Sequence, residues 1–196
     1  SSGREMNSMP SDPIVVRFHG PLSWLGNDDT ACIFTAEWGK KAGIYLWTVE
    51  TELGELVYYV GQTGRSFSVR MAEHFKEHFS GGYHLYSPGE FVKGTKNLLW
   101  PGRYDPERKT TVAEFVQNYD ALTGPIEKLT RLYRFHVAPL ECNRRLRERI
   151  EAGLANHLCE QEGVVGGFQD KGIRYSKRLD MEEPVQISLM ADAILR

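Results

Sequence analysis

Gly43-Ile44-Tyr45-Leu46-Trp47-Thr48-Val49, followed by Leu56-Val57-Tyr58-Tyr59-Val60-Gly61, is the stretch on which the fold of this chain turns. Both runs are rich in β-branched and aromatic residues, which suit a half-buried pleated surface, and the polar Glu50 to Glu55 between them holds Gly54 for a turn. Two antiparallel strands, Ile44 to Val49 and Leu56 to Val60, are predicted. Gly61-Gln62-Thr63-Gly64-Arg65 leaves the hairpin as a loop, and Ser66 is suited to cap a helix running to about Phe79. At about 100° per residue, Phe67, Met71, Phe75 and Phe79 make a slowly drifting apolar stripe, with Arg70, His74 and His78 in a second row beside it. That row is expected at the margin of the buried face, where a cleft between helix and sheet would lie. Gly81-Gly82 ends the helix.

Outward from the hairpin, Ser1 to Asp12 is polar and lacks periodicity. Pro13 to Lys41 mixes short apolar pieces, Ile14-Val15-Val16 and Cys32-Ile33-Phe34, with turn residues at Gly20-Pro21 and Gly26-Asn27-Asp28-Asp29. Residues 1–41 therefore read as an N-terminal arm or loosely structured lead-in without chemistry, and 42–196 as a single domain. Tyr83 to Thr130 reads as an insertion, with turns at Tyr86-Ser87-Pro88-Gly89 and Trp100-Pro101-Gly102. Val112, Phe115, Val116 and Tyr119 predict one helix over Thr111 to Asp120. Within the insertion, Lys93, Lys96, Arg103, Arg108 and Lys109 interleave with Trp100 and Tyr104. This is the local composition of a loop that contacts nucleic acid, and equally that of a solvated loop around a core tryptophan.

Arg131 to Val137 predicts a further strand, closed by Pro139, and Glu141 to about Gln161 a second long helix. Cys142, Leu146, Ile150, Leu154 and Leu158 form its buried stripe, and Arg144, Arg145 and Glu148 face water. Glu151 falls between Leu158 and Ala155 on the helical wheel, at the edge of the apolar face. A carboxylate there must find a cation or a hydrogen-bonding cluster, or else protonate. Gly153 in the helix interior predicts a close approach by sheet or ligand. The tail from Gly163 carries Lys171, Arg174, Lys177 and Arg178, with a strand expected at Val185 to Leu189 and then a short helix.

The composition narrows the classes open to the chain. Its 196 residues, 41% hydrophobic and 26% charged, suit one globular domain with a substantial core. Its longest apolar runs fall short of a membrane span, and no signal-peptide pattern opens it, so no membrane partner and a cytoplasmic location are expected. Cys32, Cys142 and Cys159 form no CxxC pair and leave an odd thiol, against a disulfide framework or a zinc knuckle and in favour of a reducing compartment. A net charge of −2 argues against non-specific coating of nucleic acid but leaves room for a local basic cleft.

These residues have the makings of chemistry on a phosphodiester, which needs an activated water, neutralised phosphoryl oxygens and help for the leaving alkoxide. Arg70 can grip phosphate with its planar fork, and His74 one turn later can share a proton near neutral pH. Glu151 is a hard oxygen ligand suited to one Mg²⁺-like ion. Tyr45 or Tyr59 can position the water, though a phenol near its ordinary pKa of about 10 is a weak base.

Gly43-Ile44-Tyr45, Tyr59-Val60-Gly61, and Arg70 and His74 within Val69-Arg70-Met71-Ala72-Glu73-His74 resemble the GIY-YIG nuclease family. Arg149-Ile150-Glu151-Ala152-Gly153-Leu154 is similar to that family's metal-binding glutamate helix. The resemblance covers about residues 42 to 80 and 131 to 170, and within the family it lies nearest the restriction-type or other stand-alone members. It implies a mixed α+β domain, a small three-stranded antiparallel sheet flanked by helices, here with an insertion at about 83–130. It further implies DNA cleavage with one Mg²⁺ or Mn²⁺. Tyr45 and Tyr59 then line the site, Arg70 holds the phosphate, His74 acts with a tyrosine on the water or its proton, and Glu151 binds the metal. Arg65, Lys93, Lys96 and Arg103 are candidate secondary DNA contacts. The family often has an asparagine shortly after the glutamate helix. None stands between Gly163 and Asp170, where Gln169 is the available substitute.

Taken singly, each residue also has a structural explanation. The tyrosines suit a strand core, Arg70 a surface, His74 and His78 a core edge, and Glu151 an ion pair with Arg147 one turn earlier. A catalytically silent nucleic-acid-binding or interaction domain is the alternative function. Double-strand cutting by a single-site domain would call for a homodimer or two binding events.

Overall fold

The computed structural model describes residues 12–170 and 179–191. Along the chain lie β1 (Ile14–Ser23), β2 (Ala31–Cys32), a 3-10 turn (Glu37–Lys40), β3 (Gly43–Thr51), β4 (Gly54–Thr63) and α1 (Phe67–Phe79). There follow β5 (Leu85–Tyr86), α2 (Pro88–Phe91), β6 (Leu98–Trp100), α3 (Val112–Gln117), α4 (Tyr119–Leu132), β7 (Tyr133–Pro139), α5 (Arg144–Cys159), α6 (Val164–Gly167) and β8 (Ile187–Ala191). Lys171, Arg174, Lys177, Arg178 and the expected terminal helix fall outside the described residues.

The fold is mixed α+β around a mostly antiparallel sheet, which has six strands rather than the three expected. Its order is β2-β1-β7-β3-β4, with β8 joined to β1. The expected strands form the contiguous β7-β3-β4 portion, antiparallel throughout. What enlarges it is the segment read as a loose lead-in: Ile14–Ser23 is a full strand, antiparallel to β7 and parallel to β8. Its period-two signal is present, because Val16 and Phe18 are buried in one layer while Val15 and Arg17 are exposed. Gly20-Pro21 hid it by reading as a breaker. Both residues lie where the β1–β7 register shifts, between His19 and Leu22, a position at which a strand tolerates proline.

The hairpin forms where its pattern predicts, with Tyr45 opposite Gly61 and Trp47 opposite Tyr59. The glycines that bracket it are demanded by close approach. A Cβ on Gly43 would lie 2.1 Å from the Ala138 carbonyl oxygen, and one on Gly61 would lie 2.2 Å from the Tyr45 ring. The sheet separates two apolar layers. Tyr45, Trp47 and Tyr58 join Phe67, Met71, Leu122, Leu129 and Phe168 in one, and Ile44, Leu46, Val57 and Val60 pack with Ile150, Leu154 and Ala155 of α5 in the other.

α1 begins where predicted, with the Ser66 hydroxyl accepting from the Val69 N–H at 3.3 Å. Its expected stripe is rotated. Phe67 and Met71 are buried, Phe79 is 41% exposed, and His74 and His78 are buried in its stead. The drift of a four-residue repeat against a 3.6-residue turn accounts for the rotation. The insertion holds more than the single predicted helix. α3 and α4 meet at Asn118, α4 runs on into β7, and β5 and β6 pair as a small ribbon. In α5, a Cβ on Gly153 would meet nothing within 4 Å, so no close approach of sheet or ligand explains that glycine.

Candidate active site

Hydrogen bonds link the second row of α1 to both the hairpin and the insertion. His74 Nε2 lies 2.7 Å from the Tyr45 hydroxyl, and its Nδ1 lies 2.8 Å from the hydroxyl of Tyr83. Arg70 Nε donates to the same Tyr45 oxygen at 3.4 Å, and Tyr59 bonds to it as well. A phenolic oxygen accepts at most two hydrogen bonds. With Arg70 and Tyr59 supplying both, the Tyr45 proton is directed to His74 Nε2, which leaves the His74 proton on Nδ1, donated to Tyr83.

The electrostatics follow from this packing. His74 is held down to about 3 by burial and by the Arg70 charge, so it is neutral at physiological pH. Burial pushes Tyr45 up to about 12 against the pull of Arg70. Burial disfavours the Arg70 charge, but the Tyr45 hydroxyl and the Glu73 carboxylate together hold its pKa above the ordinary value. Glu73 is the fixing point for two cations: it accepts from Arg70 Nη1 at 2.9 Å and pairs with Arg65 at 2.6 Å. Hydrogen bonds from Arg65 and then Arg70 hold its carboxyl down to about 2.

Glu151 approaches from α5, on the other side of the sheet. A bidentate-style anchor sets that helix: Arg147 donates from Nε to Gln62 at 2.9 Å and from Nη1 to the Cys142 carbonyl at 3.0 Å, with its guanidinium against Gly64. Arg147 is thereby committed to β4 and not to Glu151. Among the described residues no hydrogen bond or ion pair engages the half-buried Glu151 carboxylate, although the charge of Arg70 and the Tyr45 phenol both register at it. Burial, and then the like charge of Glu148, push it up to about 7. A half-buried carboxylate with no partner among the described residues has the chemistry to hold one hard divalent cation that completes its shell with water and other oxygens. Among the described residues there is no cluster of three or more His, Cys, Asp or Glu side chains able to hold a metal by themselves.

A cavity of about 260 Å³ opens beside this row. Tyr59, Arg70 and His74 line one side, and Tyr83, His84, Tyr104 and Asp105 from the insertion line the other. Tyr45 lies behind that wall with no exposed surface, whereas Tyr59 is half-buried and reaches the cavity.

The secondary candidates are dispersed. Lys96 donates to the Gln169 carbonyl at 2.7 Å and covers the rings of Tyr58, Tyr86 and Phe168. Arg103 ties the insertion to the end of α1 through the Ser80 carbonyl and Glu77. Lys93 forms an exposed pair with Glu90 at 3.8 Å. Trp100 is buried and donates to the Gly81 carbonyl at 2.9 Å, as the core tryptophan of a solvated loop would. Gln169 is buried, and its amide donates to the Val57 carbonyl, so it secures the chain after α6 to the back of β4. His78 is likewise structural, bonded to Thr130 at 3.0 Å.

Tyr83 and Glu73 are the residues that sequence reasoning missed. Glu73 carried a signal, standing three residues after Arg70 on one helical face. Tyr83 carried none, since it follows the glycines that end α1. Comparison with family models, with curated proteins and with solved structures gives no match.

Proposed function

We propose that the chain is a metal-dependent endonuclease that hydrolyses DNA phosphodiester bonds at a single divalent-ion site, as the resemblance of its motifs to GIY-YIG nucleases implies. What supports this reading is that Arg70, Tyr45, Tyr59 and His74 form one hydrogen-bonded row, while the Glu151 carboxylate, with no hydrogen bond or ion pair among the described residues, lies within the electrostatic influence of Arg70 and Tyr45.

Arg70 is half-buried and oriented by Glu73, so its fork is held in place before a phosphate arrives. Tyr59, at the cavity wall, orients the attacking water. Tyr45 behind it takes up hydrogen-bond polarisation from Tyr59 and passes it to the acceptor Nε2 of neutral His74, while Tyr83 accepts from Nδ1 and holds the ring. The tyrosine that touches water is then Tyr59, and Tyr45 is the positioning group between it and His74. Glu151 would hold Mg²⁺ or Mn²⁺, and the bound ion would neutralise phosphoryl charge and acidify water.

A catalytically silent nucleic-acid-binding domain is the second reading. It is favoured by the commitment of Gln169 to β4, which removes the available substitute for the missing asparagine. A labelled duplex incubated with Mg²⁺ or Mn²⁺ separates the two. Cleavage by the wild type, absent in EDTA and in Glu151→Ala, is expected; binding without cleavage under either metal would leave only the silent reading.

A further inference from the structure

The cavity beside Arg70 is larger and more aromatic than a phosphate requires. Trp47, Tyr59, Tyr83 and Tyr104 offer ring faces and edges, and the insertion closes it from Gly82 to Pro106. Its polar groups are of a particular kind. The indole N–H of Trp47 is buried and has no hydrogen-bond partner among the described residues, although the ring lines the cavity. His84 Nδ1 accepts from the Gly102 N–H at 3.0 Å, so its proton is on Nε2, 3.9 Å from Asp105 Oδ2. Asp105 is itself oriented by the N–H groups of Glu107 and Arg108 on Oδ1. The indole N–H of Trp47 is sealed from water-sized access, so the cavity itself presents an imidazole N–H and a carboxylate oxygen beside aromatic rings. Arg70 is the cation of the lining, and Asp105 and Asp170 disfavour an anion away from it, which suits a phosphate at Arg70 and a neutral, planar group with an amino edge beside Asp105.

We propose that this cavity receives an unpaired nucleobase of the DNA strand whose phosphate lies on Arg70, stacked against Tyr83 and Tyr104 and read by His84 and Asp105. The proposal rests on the reading of Arg70 as the phosphate ligand. It makes an extruded or unpaired nucleotide the preferred substrate feature. Taking a base out of a duplex costs least where it is already unpaired, and aromatic rings and hydrogen bonds recover that cost in a pocket. It also gives the insertion a purpose: its ribbon and following loop carry Tyr83, His84, Tyr104 and Asp105 to one side of the site.

Fluorescence anisotropy in EDTA tests it, with a fully paired duplex and the same duplex bearing one extra unpaired nucleotide. Tyr104 is 68% exposed, so Tyr104→Ala keeps the fold, and Asp105→Asn keeps the shape of the cavity. The wild type is expected to bind the duplex with the unpaired nucleotide about tenfold more tightly, and Tyr104→Ala to abolish that preference while leaving paired-duplex affinity unchanged. Asp105→Asn should reduce the preference most for bases with an exocyclic amine. Equal wild-type affinity for the two duplexes, or equal loss on both in Tyr104→Ala, overturns the proposal. The same duplexes in Mn²⁺ distinguish the two failures. Preference without cleavage leaves the base cavity and removes hydrolysis, whereas cleavage without preference removes the base cavity and leaves hydrolysis.

Discussion

The polar row of α1 and the lone carboxylate of α5 are partnered in opposite ways. On α1 nearly every polar atom has a role within the chain: Glu73 fixes Arg70, Tyr45 and Tyr83 hold His74, and His78 bonds Thr130. On α5 the Arg147 and Arg144 guanidiniums are satisfied, yet Glu151 among them has no hydrogen bond or ion pair among the described residues. A saturated row is built for rigidity, since groups oriented in advance lose little freedom when a transition state forms. On the proposed reading, the half-buried Glu151 carboxylate, unsatisfied among the described residues, awaits a cation, since its isolation costs stability until one arrives.

Substitutions at four positions probe that contrast. The largest effect is expected for Arg70→Ala, which removes the phosphate grip from the rigid half. Single-turnover cleavage should fall about 10²–10³-fold, and Arg70→Lys should recover little because an ammonium lacks the fork that spans two oxygens. Cleavage at the wild-type rate in either variant would place the phosphate elsewhere.

Glu151→Gln tests the open half through stability. The folded-state pKa of Glu151 is raised from 4.5 to about 7, so the folded protein binds more protons than the unfolded chain within that window. Stability of the metal-free protein therefore falls as pH rises from 4.5 to 7, and the cost is complete above it. Removing the charge should stabilise the metal-free protein by about 1–3 kcal/mol at pH 8 and by almost nothing near pH 4. Denaturant titrations in EDTA at the two pH values check this, and a Gln variant less stable at pH 8 would mean that the carboxylate is already partnered.

Gly61→Ala disturbs the rigid half from below by driving a methyl into the Tyr45 ring, at a cost of about 1–3 kcal/mol in denaturant titration. Cleavage should fall with it, because the Tyr45 to His74 bond cannot survive displacement of the ring. An Ala variant with wild-type stability would show that the ring gives way freely. The smallest effect is expected for Tyr83→Phe, which strips His74 Nδ1 of its acceptor and should cost about 1 kcal/mol of stability. Its sharper readout is the imidazole ¹⁵N spectrum, where the Nδ1–H tautomer fixed by Tyr45 should persist while the Nδ1 resonance shifts on losing its acceptor. An unshifted Nδ1 resonance would mean that Tyr83 does not hold the ring.

The same contrast marks what the sequence could disclose. The hairpin, the Ser66 cap, the span of α1 and the wheel position of Glu151 rest on local periodicity and capping chemistry, and those could be read directly. β1 could not, because a Gly-Pro pair at a register shift looks the same as a loop until its partner strand is known. Tyr83 and Asp105 reach the cavity through the ribbon of β5 and β6, whose pairing joins residues with no shared period. The basic composition of the insertion hid a structural task for a related reason. That Lys96 and Arg103 bond the carbonyls of Gln169 and Ser80 shows only once tertiary packing brings those carbonyls to them.

Manganese binding tests most directly whether the two halves form one site. Titration of Mn²⁺ at pH 8 without and with a duplex, counted by the loss of the free-ion electron paramagnetic resonance signal beyond what the duplex takes up alone, is predicted to give one ion per chain for the wild type. Glu151→Gln is predicted to give none, and Arg70→Ala a weakened site that strengthens no further when DNA is added. Equal ion binding by wild type and Glu151→Gln would contradict the account.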